Sequence, residues 1–231
     1  MKLIPRLEGL YELSFGMVSA FLIQSDEGFT LIDTGLPGNS EKILESIRSL
    51  GGTPDSLQHI LITQLHSDHV GNLAELKKKT GAKIYAHREE AAAIADGLIM
   101  RQAEAAPGLG NKLIFSLFVG RETGKRIEGT DVDVKLEDKQ TLDMAGGIHT
   151  VYTPGHTIGH CSFLWKEHGG VLFVGDAASG GKRPGYPVLF EDRDQGEKSL
   201  SKIGQLEFDK AFFAHGKPIL THASRAFAAS W

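Results

Sequence analysis

Ile60-Leu61-Ile62-Thr63-Gln64-Leu65-His66-Ser67-Asp68-His69-Val70-Gly71-Asn72 is the stretch that decides how this chain folds. Its first three residues form an apolar run short enough for a buried strand. The run then turns polar, and Gln64, His66, Asp68 and His69 fall within six positions. In an extended or tightly turning loop, alternate side chains share one side. Gln64, His66 and Asp68 can therefore converge, and His69 can reach round from the turn. Two imidazoles, a carboxylate and an amide oxygen suit a borderline divalent metal such as zinc. Taken alone, the same residues also read as a polar surface loop carrying two histidines.

Other parts of the chain repeat the arrangement of an apolar strand with a polar residue at its end. Phe29 to Asp33 ends on a carboxylate before Thr34-Gly35, either a turn former or a group that orients the metal loop. Thr153-Pro154-Gly155 breaks a strand and His156 emerges on the break. Val171 to Val174 delivers Gly175-Asp176, and Ala211 to Ala214 delivers His215-Gly216. Side chains on rigid turns after strands are well placed to be ligands. His160 reads as a hydrogen-bonding residue that holds the His156 loop. His87, directly after the strand Lys83 to Ala86, is open between ligand, supporting group and plain surface histidine. Cys161 reads as a small buried residue.

In this order, the landmarks resemble the metallo-β-lactamase superfamily. Its ligand motif is His-x-His-x-Asp-His on a loop after a strand. Here the motif is Gln64-x-His66-x-Asp68-His69, so Gln64 stands where the first histidine would be. The resemblance covers nearly the whole chain and implies an α/β fold, a four-layer αββα sandwich. It also implies two metal sites: Gln64, His66 and His156 at the first, Asp68, His69 and His215 at the second, and Asp176 bridging them. Asp33, His160 and His87 would support the ligands from outside. The metal would be zinc, two ions, although the ligand set also suits iron or manganese.

The chemistry implied is hydrolysis. Two divalent ions lower the pKa of a shared water, and the resulting hydroxide attacks an ester-like carbonyl. Asp68 would accept a hydrogen bond from the nucleophile and shuttle its proton. The stretches around His156, His160 and Asp176 look most like those of lactonases and esterases, such as those acting on acyl-homoserine lactones. The alternatives are a β-lactamase, a glyoxalase II-like thioesterase, an iron-dependent oxidoreductase of the same fold, and a non-enzymatic metal-binding protein. One branch of the β-lactamases also has glutamine for the first histidine, but Asp176 is not usual among them.

Composition narrows the classes further. The 231 residues, 41% hydrophobic, suit a single domain over 1–231 with a substantial core. A net charge of -4 gives no footprint for nucleic acid or an anionic membrane. The expected partner is a small ester, lactone or lactam, and a homodimer is left open. One cysteine allows no internal disulfide. Pro5, Arg6 and Glu8 interrupt any leader-like run and no stretch is long enough to span a membrane, so the expected location is cytoplasmic.

A helical cover is expected at about 89–120. Leu98, Ile99, Met100, Leu109, Leu113, Ile114 and Leu117 within it suit either helices packed on the core or an apolar lid facing an acyl chain or a partner subunit. Val132 to Leu136 is expected to open a second series of strands. Lys182, Arg183 and Tyr186 are expected to line the substrate cleft.

Overall fold

Adjacent residues in the strands of this protein belong to different cores. Leu31 packs in one cluster with Ile43, Leu44 and Ile47, while Ile32 packs in another with Phe21, Phe163 and Phe173. Leu22 and Ile23 divide in the same way, as do Ile60 and Leu61. In the second half of the chain Phe173 faces the shared core and Leu172 joins Leu200, Ile203 and Phe227. Successive side chains of a strand point to opposite faces. Strands apolar at both parities must therefore be covered on both faces. The layers that result are helix, sheet, sheet, helix: the αββα sandwich of the α/β class. The computed structural model describes residues 2–231, with the backbone alone at position 118.

The first sheet has seven strands, in the spatial order Lys2–Leu7, Leu10–Ser14, Ser19–Ser25, Gly28–Ile32, Leu57–Leu61, Lys83–His87 and Val134–Leu136. The first four are antiparallel neighbours and the last three are added in parallel. The second sheet has five strands, in the order Lys210–Phe212, Val171–Phe173, Cys161–Trp165, Ile148–Tyr152 and Thr141–Leu142. Phe21 of the first sheet meets Phe173 and Phe212 of the second at centroid distances of 5.3 and 5.5 Å. These rings close the shared core, and each fully buried phenylalanine contributes roughly 1.5–3 kcal/mol.

Helices Ser40–Ser49, Leu73–Thr80 and Arg88–Ala95 supply Ile43, Leu76 and Ile94 to the outer core of the first sheet. Leu73–Thr80 stops at Gly81, whose φ of 73° is the left-handed cap that glycine adopts without strain. Arg193–Ile203 and Ala223–Ala228 cover the second sheet. Among the described residues no helix is long and apolar enough to cross a membrane.

One local expectation is corrected. Val134–Leu136 does not begin the second sheet but closes the first, pairing in parallel with Lys83–His87. The Asp133 carboxylate accepts the Ile84 N–H at 2.8 Å and so fixes that register. The stretch from Leu98 onward serves two purposes. Ile99 and Met100 are buried, whereas Leu109, Leu113, Ile114 and Leu117 are exposed on the helix Leu109–Ile114 and the wider turn Phe115–Val119 that continues it. The change comes at Glu104–Ala105, a short strand paired with Leu189–Phe190. The Tyr186 ring packs on Phe190 and Trp231, and its hydroxyl donates to Glu197. Lys182 and Arg183 are exposed.

Candidate metal centre

The strand Leu57–Leu61 carries the chain to the sheet edge, and the short helix Ser67–Val70 begins directly after His66. One turn of helix is what swings Asp68 and His69 round to the side of Gln64 and His66. The loop is pinned to the one that follows Asp33. Thr34 Oγ1 donates to the His69 carbonyl at 2.7 Å, and Asn72 Nδ2 donates to the carbonyls of Thr34 and Leu36, each at 2.7 Å. A Cβ at Gly71 would lie 2.5 Å from Gly35 O, Pro37 N and Ser67 O, so only glycine permits this approach.

The seven expected ligand positions come together. His66, His156 and Asp176 offer donor atoms within 4.8 Å of one another, and so do Asp68, His69 and His215. Asp176 Oδ2 stands between the two groups. It is 3.2 Å from His69 Nε2, 3.4 Å from His156 Nε2 and 3.5 Å from His215 Nε2. His215 Nε2 lies 3.2 Å from Asp68 Oδ2, and His156 Nε2 lies 3.2 Å from His66 Nδ1. Gln64 is fully buried at the middle, its Nε2 lying 2.8 Å from His69 Nε2 and donating to Asp176 Oδ2 at 2.9 Å.

This donor set fits divalent metal ions. Gln64 Oε1 and His66 Nε2 are buried without a hydrogen-bond partner among the described residues. An unpaired buried polar atom costs about 1–3 kcal/mol, and a cation would use both lone pairs. A half-turn of the terminal Gln64 bond exchanges its nitrogen and oxygen and would present the oxygen to the centre.

Hydrogen bonds behind the candidate ligands fix their direction. Asp33, held at a φ of 59°, accepts from His69 Nδ1 at 2.9 Å and from Thr63 N and Oγ1 at 2.9 and 2.8 Å. His69 therefore carries hydrogen on Nδ1 and turns Nε2 to the centre. His215 Nδ1 donates to the Met17 carbonyl at 2.7 Å, and His156 Nδ1 to the Leu189 carbonyl at 3.1 Å. His160 Nε2 accepts the Asp176 backbone N–H at 3.0 Å while its Nδ1 faces Thr153 Oγ1 at 2.8 Å. It holds the Asp176 backbone and belongs to neither donor group. His87 lies further out. Its ring stacks on Tyr152 at 4.0 Å, and the Tyr152 hydroxyl donates to the Ile158 carbonyl in the His156 loop. The role of Thr63 was not read from sequence: a threonine at a strand end announces nothing until Asp33 and His69 are placed around it.

The two groups differ in charge. Burial pulls the His66 pKa down to about 4 and that of His156 to about 3, so both are neutral with lone pairs available. Burial also opposes charge on His69, yet Asp33, Asp176 and Asp68 together hold its pKa well above the usual imidazole value. Asp176 is the main cause that raises His215 to about 12. Burial works to raise Asp68 and Asp176, and the facing His69 and His215 reverse it, so both carboxyls lie below their ordinary values. A cation bound at the second group would compete with protons on His69 and His215.

The Asp33–His69 bond gives a prediction. Asp33→Ala is expected to weaken zinc at the Asp68–His69–His215 site by about 10–100-fold, the usual effect of removing an orienting carboxylate. Competition against a chromophoric chelator measures it, and an unchanged constant would mean that Asp33 serves only the turn.

The sequence matches the family model described as Metallo-beta-lactamase superfamily over residues 13–215. YobT, an uncharacterized protein of Bacillus subtilis, is 29% identical over 164 residues, 69% of this chain. The chain covers 61% of YobT, less than two thirds of that relative's length. An N-acyl homoserine lactonase of Bacillus thuringiensis is 25% identical over 234 residues, covering 88% of this chain and 79% of that protein. The metallo-β-lactamase SMB-1, solved with mercaptoacetic acid, has a TM-score of 0.75 over 100% of this chain and 93% of its own, at 20% identity, which is a likeness of fold.

Proposed function

The chain belongs to the metallo-β-lactamase superfamily, and from that premise we propose that it is a binuclear zinc hydrolase acting on lactones or related esters that carry an apolar acyl group. The ions would be held by Gln64, His66 and His156 at one site and by Asp68, His69 and His215 at the other, with Asp176 between them. When bound, two such ions supply a nucleophile at neutral pH and polarise the carbonyl under attack. Asp68 is partly exposed, and only one of its oxygens is in close contact with His215. The other oxygen, 3.8 Å from His69 Nε2, can take a proton from the attacking group and pass it to the leaving oxygen. Asp33 and His160 keep His69 and Asp176 in place throughout.

The observation that carries the substrate class is where this protein leaves large apolar side chains exposed. Met17 is 86% exposed, and its carbonyl holds His215. Ile158, 41% exposed, is two residues beyond His156, and Leu36 belongs to the loop tied down by Asn72. Leu109 and Leu113 lie on the helix beyond Glu104–Ala105, and Leu117 on the turn that continues it; the partner strand of Glu104–Ala105 includes Leu189, the residue that holds His156. Apolar groups left in water beside a polar centre mark a binding surface. An acyl chain attached to the scissile carbonyl suits that surface, and similarity to the homoserine lactonase points the same way.

The test is a panel on the zinc-loaded protein: acyl-homoserine lactones of increasing chain length, a chromogenic cephalosporin, S-lactoylglutathione and an aryl ester. Lactones are expected to give the highest kcat/KM, with KM falling by up to about fourfold per methylene, from roughly 0.8 kcal/mol of burial each. Preference for the cephalosporin or the thioester would replace the lactonase reading. A KM independent of chain length would separate the apolar rim from the substrate. Metal analysis of the purified protein distinguishes zinc from iron or manganese.

A further inference from the structure

A second polar cluster lies behind His156, and it offers no donor to the metal centre. Glu90, on the helix Arg88–Ala95, is 1% exposed. Its Oε1 accepts the Thr157 hydroxyl and the Gly159 N–H, the latter at 3.1 Å. Its Oε2 pairs with Arg101 Nη1 at 2.9 Å. The same Arg101 nitrogen lies 3.5 Å from Glu191 Oε2, which accepts the Ile158 N–H at 2.8 Å. The Glu191 backbone N–H donates to the His156 carbonyl at 3.1 Å. Thr157, Ile158 and Gly159 thus all donate to two carboxylates that share one guanidinium.

This cluster is an expensive way to fill space. Burial raises the Glu90 pKa and pushes Glu191 up to about 7. Apolar residues of similar volume usually replace a buried ion pair at no loss of stability. What they cannot supply is acceptors for the turn's own N–H and hydroxyl groups. The approach is also close: a Cβ at Gly159 would lie 2.6 Å from Glu90 Cγ and 2.9 Å from Glu90 N. The turn therefore rests directly on the start of the helix, and its position follows that of Glu90.

We propose that Glu90 is a positioning residue for His156: neutralised by Arg101, its carboxylate fixes the Thr157–Gly159 turn and so keeps His156 Nε2 within reach of His66 and Asp176. The proposal rests on the binuclear reading of the site. Arg101 extends the effect outward, because it stands on the segment that leads to the apolar helix and also donates to the Glu89 carbonyl at 3.1 Å.

Calorimetric zinc titration of the full chain is the test. Glu90→Ala is expected to weaken the His66–His156 site by at least about tenfold, with the second site changed by less than about twofold. Glu90→Gln keeps an acceptor oxygen for Thr157 and Gly159 and is expected to stay within about threefold of wild type. If Glu90→Ala does not fold, Thr157→Val removes one of the same bonds and is expected to weaken the first site by roughly threefold or more. An unchanged first site in these variants overturns the proposal, and so does an equal loss at both sites, which would mark general loosening. Uptake of a single zinc by wild type would instead sink the binuclear reading. The positioning role is then read from the His156 ring signals in 1H–15N spectra of the metal-free protein. A shift in Glu90→Ala that Glu90→Gln does not reproduce supports it, and unchanged signals overturn it.

Discussion

Asp68→Ala is expected to lower lactone turnover by at least about a hundredfold while the protein keeps its fold. Asp68 stands on the short helix after His66, with its side chain 26% exposed and paired to His215 and His69. It belongs to none of the three apolar cores, so its removal opens no packing defect. On the proposed mechanism, what is lost is a metal donor and the partly exposed carboxylate assigned to proton transfer. Circular dichroism and zinc content establish that the variant is folded and loaded, and steady-state kinetics then give its kcat. Wild-type turnover in such a protein would refute the hydrolytic role assigned to the second site.

Gln64→His is expected to tighten the first zinc site by roughly tenfold or more, since an imidazole nitrogen is a stronger zinc ligand than a neutral amide oxygen. Gln64 is already at the centre, buried, with its amide against both His69 and Asp176. A histidine there needs no new path to the metal. Wild type should show two sites of unequal affinity, and protein purified without added metal should carry fewer than two ions. In the variant the weaker site tightens and the other holds. One site of equal strength in both proteins would mean that Gln64 serves as a hydrogen-bond donor to Asp176 and nothing more, and the ligand roles of His66 and His156 would have to be withdrawn.

The positions that gather in the candidate centre were legible because they follow apolar strands, where chain order and residue type together carry the information. The layers were implied by the family resemblance, and pairs such as Leu31-Ile32 and Ile60-Leu61, which leave no polar face, give the physical reason for them. Val134–Leu136 was not legible. Three residues carry too little pattern to say which sheet they join, and the answer depends on Lys83–His87, nearly fifty positions earlier in the chain. The apolar run after Leu98 was ambiguous because its division depends on the pairing of Glu104–Ala105 with Leu189–Phe190. Glu90 carries no signal of its own in the sequence. Its neighbour Glu89 is exposed, and only the phase of the helix against the His156 turn separates the two glutamates.

The bond between His215 and the Met17 carbonyl joins residues 198 positions apart. Contacts of that span form late, because chain entropy must be lost before they give anything back. During synthesis the loop with His66 and His69 is made long before His215 exists. An unfinished chain has only a few of the donors and no fixed geometry, so it can hold zinc only loosely. In the proposed centre, firm retention of the metal begins when the final strand docks and its histidine finds the hairpin near the N-terminus. Bound zinc would then serve as a record that the segments around Met17 and His215 have met.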